Sequence, residues 1–238
     1  MSDKTNQPGT SDKPRVRVFI DGQNLFKGLS RVYKVRLHPL LLARELAGPD
    51  RQLVGAHYYS GIHDRDVNQN MFELVKRRHD LIRQTGVAVT ERTLRYNWEW
   101  RVDDDLPSPW RDDAPKRQKA TVKRYQKARE KGIDVALALD AVASALTDEA
   151  DAIIIVSRDR DLMEIASEIT ERCGGQPDKV KVGVEVAFVT ENRGDERALA
   201  GYDHRHQIDK DIVDAAVDHF NYGQSLDDDQ VKKFLAGL

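Results

Sequence analysis

An α/β fold built on a parallel sheet is the class that this 238-residue chain predicts, and three observations predict it. The first is Ala152–Val156, an unbroken apolar run of the kind carried by a strand buried on both faces, which stops at Ser157, Asp159 and Asp161. The second is Val16–Ile20, a run of the same shape that ends in Asp21-Gly22-Gln23-Asn24 and passes into the helical pattern of Leu25, Phe26 and Leu29. The third is the order of the remaining patterns. Short strands alternate with helices, as they do where crossovers join parallel strands. Open sheets of this class hold ligands beyond the carboxyl ends of their strands, so both runs aim their polar endings at the place where a site forms.

The other elements follow in order. Residues 1–14 make a polar, flexible tail with neither the apolar core nor the cleavage pattern of a signal peptide. After strand 16–20, a helix runs from near Asn24 to about Tyr33. A second helix starts at Pro39, a residue suited to a first helical turn, with Leu40, Leu41, Leu42 and Leu46 as its apolar side. Leu53–Ser60 reads as a strand and Gly61–Asp66 as a polar loop in which His63 and Asp64 are solvated. Met71, Leu74, Val75, Leu81 and Ile82 repeat at helical spacing over Asn68–Gln84, and Val87–Leu94 alternates as an edge strand does. Tyr96–Lys116, broken by Pro107, Pro109 and Pro115, predicts a long loop.

Lys131-Gly132-Ile133-Asp134 then opens a helix whose residues Val135, Leu137, Leu139, Val142 and Leu146 are dense enough for burial on most sides. Beyond strand 152–156 come a helix over Asp161–Arg172 ended by Gly174-Gly175, a last core strand at Lys181–Thr190 and a polar loop at Asn192–Arg197. Residues 204–238 form a helical extension, with Ile212, Val213, Ala216, Val217 and Phe220 at helical spacing and an acidic-capped helix over Leu226–Leu238. The main domain is thus residues 15–203.

Composition narrows the function. A single cysteine, Cys173, excludes a disulfide framework and a cysteine-rich zinc site and suits a reducing cytosol. No apolar run approaches a membrane span. With 38 basic and 40 acidic residues the chain is nearly neutral, so binding to a polyanion needs a local patch. Lys116, Arg117, Lys119, Lys123, Arg124, Lys127 and Arg129, beside Trp98, Trp100 and Trp110, supply one, because aromatics stack on bases while cations follow the phosphates. A solvated basic helix face beside a small satellite core of tryptophans accounts for the same residues.

Four carboxylates point to the chemistry. If strands 16–20 and 152–156 are neighbours, Asp21 and Asp159 stand side by side. The helix that opens at Asp134 runs antiparallel to strand 152–156, which brings Asp134 to the same edge. Asp161 follows two residues after Asp159, and Asn24 lies one turn beyond Asp21. Crowded like charges are relieved by protonation or by a divalent cation, and oxygen ligands suit Mg²⁺ or Mn²⁺, which also take substrate phosphates. Asp140, six residues into the helix, turns away from Asp134 and suits a supporting contact to Lys131 or to nearby backbone.

Phe19–Leu25, Lys131–Val135, Ala138-Leu139-Asp140 and Ile155–Leu162 resemble the NYN domains of the LabA-like (DUF88) group, relatives of the PIN nucleases. The resemblance covers roughly Arg15 to Tyr202. It implies a three-layer α/β/α, PIN-like (Rossmannoid) fold and divalent-metal-dependent cleavage of nucleic acid, most often RNA. It carries the catalytic, metal-holding acids onto Asp21, Asp134, Asp159 and Asp161, and supporting roles onto Asn24, Ser157, Lys131 and Asp140. Arg158 departs from the small residue usual there; it clamps phosphate, pairs with Asp161 or crowds the metal. The expectation is a cytoplasmic ribonuclease with nucleic acid as partner, no membrane, and homo-oligomerisation left open. A module that binds without turnover is the alternative. An aspartyl-phosphate phosphatase needs a second aspartate two residues after Asp21, where Gln23 stands.

Overall fold

The computed structural model describes residues 13–102, 122–147, 149–174, 182–189, 201–222 and 228–238. The amino-terminal half runs β1 (Arg15–Asp21), α1 (Gly22–Val32), α2 (Pro39–Ala47), β2 (Gln52–Ile62), α3 (Gln69–Gln84) and β3 (Ala88–Thr93). Next come β4 (Arg95–Val102), β5 (Val122–Arg129), α4 (Ile133–Leu146) and β6 (Ala152–Val156). A 3₁₀ turn (Arg160–Met163) leads into α5 (Glu164–Gly174), followed by β7 (Gly183–Phe188), β8 (His204–Gln207), α6 (Lys210–Ala216) and α7 (Asp228–Ala236). Six strands form one parallel sheet in the order β3-β2-β1-β6-β7-β8.

The sheet carries a core on each face. Val18, Ile20, Ile154 and Val156 pack with Leu25 and Leu29 of α1, Leu42 of α2, Ile82 of α3 and Val213 of α6. Phe19, Tyr59, Ile153 and Ile155 pack on the opposite face with Leu137 of α4 and with Ile165 and Ile169 of α5. All five residues of β6 are buried, because alternate side chains enter opposite cores. Each buried isoleucine removes apolar surface worth about 1.5–3 kcal/mol from water. The result is an α/β/α sandwich with a helical extension at its carboxyl end, as the alternating patterns predict. The extension is tied back by His38 N to Ala216 O and Asp218 N to Arg36 O, both 2.8 Å.

Gly22 shows why the turn after β1 takes no larger residue. A Cβ there would stand 2.6 Å from the ring and hydroxyl of Tyr58 and 2.8 Å from the carbonyl oxygen of Tyr59. Gly22→Ala is therefore expected to destabilise the protein by about 1–3 kcal/mol. Urea denaturation checks this, and an unchanged midpoint would mean that β2 yields without cost.

Several elements differ from the sequence-based expectation. Residues 95–102 are not loop: β4 pairs antiparallel with β5 from Arg95↔Arg129 to Val102↔Val122, so the basic run ends in a strand rather than on a helix face. The remainder of the expected loop, residues 103–121, lies outside the described residues, as do Asn192–Arg197 and residues 1–12 of the tail. The strand at 183–188 is not the last, since β8 pairs parallel with β7. Helix α4 is not buried on most sides: Val135 and Leu139 are 62% and 66% exposed, because the sheet and α5 cover only the side that carries Leu137 and Ala141. Among the described residues no helix is long and apolar enough to cross a membrane.

Candidate functional site

Strands β1 and β6 are hydrogen-bonded neighbours, with Ile20 opposite Val156. From β1 the chain proceeds outward to β2 and β3, whereas from β6 it proceeds the other way to β7 and β8. The two loops leaving β1 and β6 therefore part at a topological switch point, where a crevice opens at the carboxyl edge. Asp21 is the last residue of β1, and Ser157 directly follows β6.

A chain of hydrogen bonds stitches the loops together. Asp21, 4% exposed, caps α1 by accepting from Asn24 N at 3.0 Å, and it accepts from Ser157 Oγ at 3.1 Å. Ser157 Oγ in turn accepts from Asp159 N, and Asp159 Oδ1 accepts from Asp161 N, both at 3.1 Å. Asn24 Oδ1 accepts from Arg158 N at 2.9 Å. Asn24 Oδ1 and Ser157 Oγ thus hold the two loops in register. Asp159 caps the 3₁₀ turn, which explains why the chain does not enter α5 directly at Asp161.

Asp134 arrives from the other side. Gly132 adopts φ +77°, a left-handed conformation that favours glycine, and it starts α4 with Asp134 in the first turn. Burial raises the pKa of Asp134, and the charges of Asp159 and Asp161 raise it further. Burial also raises Asp21; the bonds from Asn24 and Ser157 oppose that shift and the charge of Asp134 adds to it. The four aspartates thus share one electrostatic neighbourhood.

A fifth carboxylate joins them that the sequence reading missed. Glu130 accepts from Gly61 N at 2.5 Å, and its pKa is raised by burial and then by Asp21 and Asp134. Lys27 lowers the pKa of both Glu130 and Asp134, which places a cation at the same edge. The donor set is entirely oxygen and its charge is largely uncompensated, a chemistry that fits a hard divalent cation. Among the described residues, however, no three His, Cys, Asp or Glu side chains stand close enough together to hold a metal ion. The arrangement is an open acidic crevice rather than a closed cage.

The other expected residues are dispersed. Arg158 Nη1 donates to Val189 O at 3.3 Å, which turns the side chain toward the end of β7. Asp140 accepts from Tyr59 Oη at 2.7 Å and so braces β2 against α4. Lys131 is exposed just before α4. Lys127 lies 3.4 Å from Glu99, and Arg124 stacks on Trp98. Lys123 is at the far end of β5, in register with Arg101, while Lys116, Arg117, Lys119 and Trp110 lie outside the described residues. His63, expected in a solvated loop, bonds Tyr96 Oη through Nδ1 at 2.7 Å.

A crystal structure of a protein of unknown function from Vibrio parahaemolyticus is similar to this one, with a TM-score of 0.51 and 20% identity over 88% of this chain and 99% of that chain. At that identity the likeness bears on the fold alone. No curated protein matches the chain. The NYN domain model matches residues 15–174, which span every strand and loop that brings an aspartate to the crevice. The chain belongs to the NYN domain family of the PIN-like superfamily.

Proposed function

We propose that the protein is a divalent-metal-dependent ribonuclease of the LabA-like kind. The observation that carries this reading is the convergence of Asp21, Asp134, Asp159 and Asp161 from three loops on the switch point of the sheet. Asp134 feels the charges of Asp159 and Asp161, and Asp21 feels that of Asp134. In this reading one or two of Asp21, Asp134 and Asp159 would hold Mg²⁺ or Mn²⁺ directly and the remainder through its waters, and Asp161 would help to orient it. Mg²⁺ commonly retains waters and is held by one or two carboxylates together with substrate phosphates, so an open crevice suits it better than a closed cage would. A cation held there would supply the positive charge that admits a phosphodiester and would lower the pKa of a water.

The chain's own residues have separate tasks. Asn24 and Ser157 act as positioning residues, keeping Asp21 and Asp159 in place across two loops. Lys27, Lys131 and the basic segment from Lys116 to Arg129 draw the phosphate backbone toward the acidic edge. Arg158, bonded to Val189 O, borders the crevice on the β7 side.

A second reading, a nucleic-acid-binding module of the same fold without turnover, is favoured by one observation: the absence of three ligating side chains in reach of one point among the described residues. End-labelled RNA incubated with Mn²⁺, Mg²⁺ or chelator separates the two. Cleavage that requires metal is expected. Binding without cleavage under every condition would establish the module instead.

A further inference from the structure

The β4–β5 ribbon carries two large aromatic side chains that the fold does not use. Trp98 and Trp100 are 54% and 69% exposed. Side chains two apart on a strand share a face, and the register places Gln126 opposite Trp98 and Arg124 opposite Trp100. Tyr96, Trp98, Trp100, Arg124 and Gln126 therefore form one side of the ribbon. The Arg124 guanidinium lies 4.4 Å from the ring centre of Trp98 and 6.0 Å from that of Trp100. A cation held against the aromatic faces orients them as a platform and gives it positive charge. The opposite side carries Lys127 and Arg129, both paired with Glu99.

The ribbon is rooted at the site. Leu94, just before β4, donates its N–H to Ile62 O at the carboxyl end of β2, and Tyr96 Oη is held by His63. At the same end of the ribbon, where Arg95 is in register with Arg129, β5 runs through Glu130 into the turn that delivers Asp134. The base of the ribbon thus adjoins Glu130 and the turn that carries Asp134.

We propose that the β4–β5 ribbon is a stacking platform for the bases of single-stranded nucleic acid and sets a preference for single strands over duplex. The proposal rests on the nuclease reading for where the strand comes from. Its chemistry is independent of that reading: a flat aromatic pair with an attached guanidinium can stack on splayed bases, whereas duplex bases are stacked on one another and present only backbone and groove edges.

The test uses the full chain with chelator present, so that binding is read without cleavage. Fluorescence anisotropy of labelled single-stranded RNA, single-stranded DNA and blunt duplex RNA is measured for the native chain and for Trp98→Ala, Trp100→Ala and Trp100→Phe. Each alanine variant is expected to weaken single-strand binding about tenfold or more, with little change for duplex. Trp100→Phe restores most of the loss, and thermal denaturation matches the native chain because neither tryptophan is in the core. Equal affinity for single strand and duplex, with the variants unchanged, overturns the platform. So does a loss of self-association in the alanine variants without loss of nucleic-acid binding, which would make the face a contact between copies. A parallel cleavage assay in Mn²⁺ keeps the two ideas apart: metal-dependent cleavage with neutral tryptophan variants sinks the platform alone, and no cleavage of any substrate sinks the nuclease reading.

Discussion

Asp159→Asn is expected to abolish cleavage and leave the fold intact. The side chain of Asp159 serves the structure through one acceptor, the Oδ1 that receives Asp161 N at 3.1 Å, and asparagine keeps that acceptor. Asparagine and aspartate are equivalent as helix caps, so the expected change in stability is within about 0.5 kcal/mol. Removing the negative charge is a different matter. In the proposed mechanism the carboxylate would help to hold a cation that supplies several kcal/mol of charge stabilisation, and its loss would lower the rate on the order of a thousandfold. Asp21→Asn would not separate the two effects, because Asp21 is buried, caps α1 and receives the Ser157 hydroxyl. Single-turnover cleavage beside thermal denaturation is the measurement. Full activity in Asp159→Asn would sink the assignment, and parallel losses of activity and melting temperature would recast Asp159 as a structural cap.

What could be read from the sequence follows the contrast between apolar and polar residues. Strands β1 and β6 were legible because a two-faced core demands an unbroken apolar run, and a run that ends at aspartate must end at a sheet edge. Asp134 was legible by connectivity, since a helix joined to a parallel strand returns its amino terminus to that strand's carboxyl edge. The ribbon was not. Tyr96, Trp98 and Trp100 do alternate with Arg95, Asn97 and Glu99, which is strand periodicity, but neither side faces a core and the following prolines suggested a loop. Strand β8, His204-Arg205-His206-Gln207, is polar throughout, as an edge strand can be. Glu130 left no signal because its place depends on Gly61, sixty-nine residues away, through a bond that exists only once β2 and the turn before α4 are packed. The apolar side of α4 was legible as helix, but sequence does not say which side the sheet covers, and Val135 and Leu139 proved to be on the other.

Acid is expected to destabilise the protein through His38, and the sign follows from its surroundings. His38 is 1% exposed, its Nδ1 accepts from Leu40 N at 3.3 Å at the start of α2, and its ring packs edge-on against Phe234 of α7 at 5.6 Å. Burial lowers its pKa to about 4; nearby Arg78 and Arg44 push the same way, and Asp218 opposes them. A histidine depressed in the folded state contributes its stability above the unfolded value of 6.5, and the contribution is lost as pH falls toward 4. The full loss for one such group is about 3 kcal/mol, set by the size of the shift. His79, buried and also lowered, adds to the same trend, while the carboxyl groups of Asp21 and Asp134, raised by burial, act with the opposite sign. His38→Asn isolates the term, because asparagine can still accept from Leu40 N but does not titrate. Between pH 6.5 and 4 the native chain should lose more stability than the variant, by up to about 3 kcal/mol in urea titrations. Parallel pH profiles for the two would mean that His38 takes up its proton inside the folded protein, through an opening at α7 that lets water reach the ring.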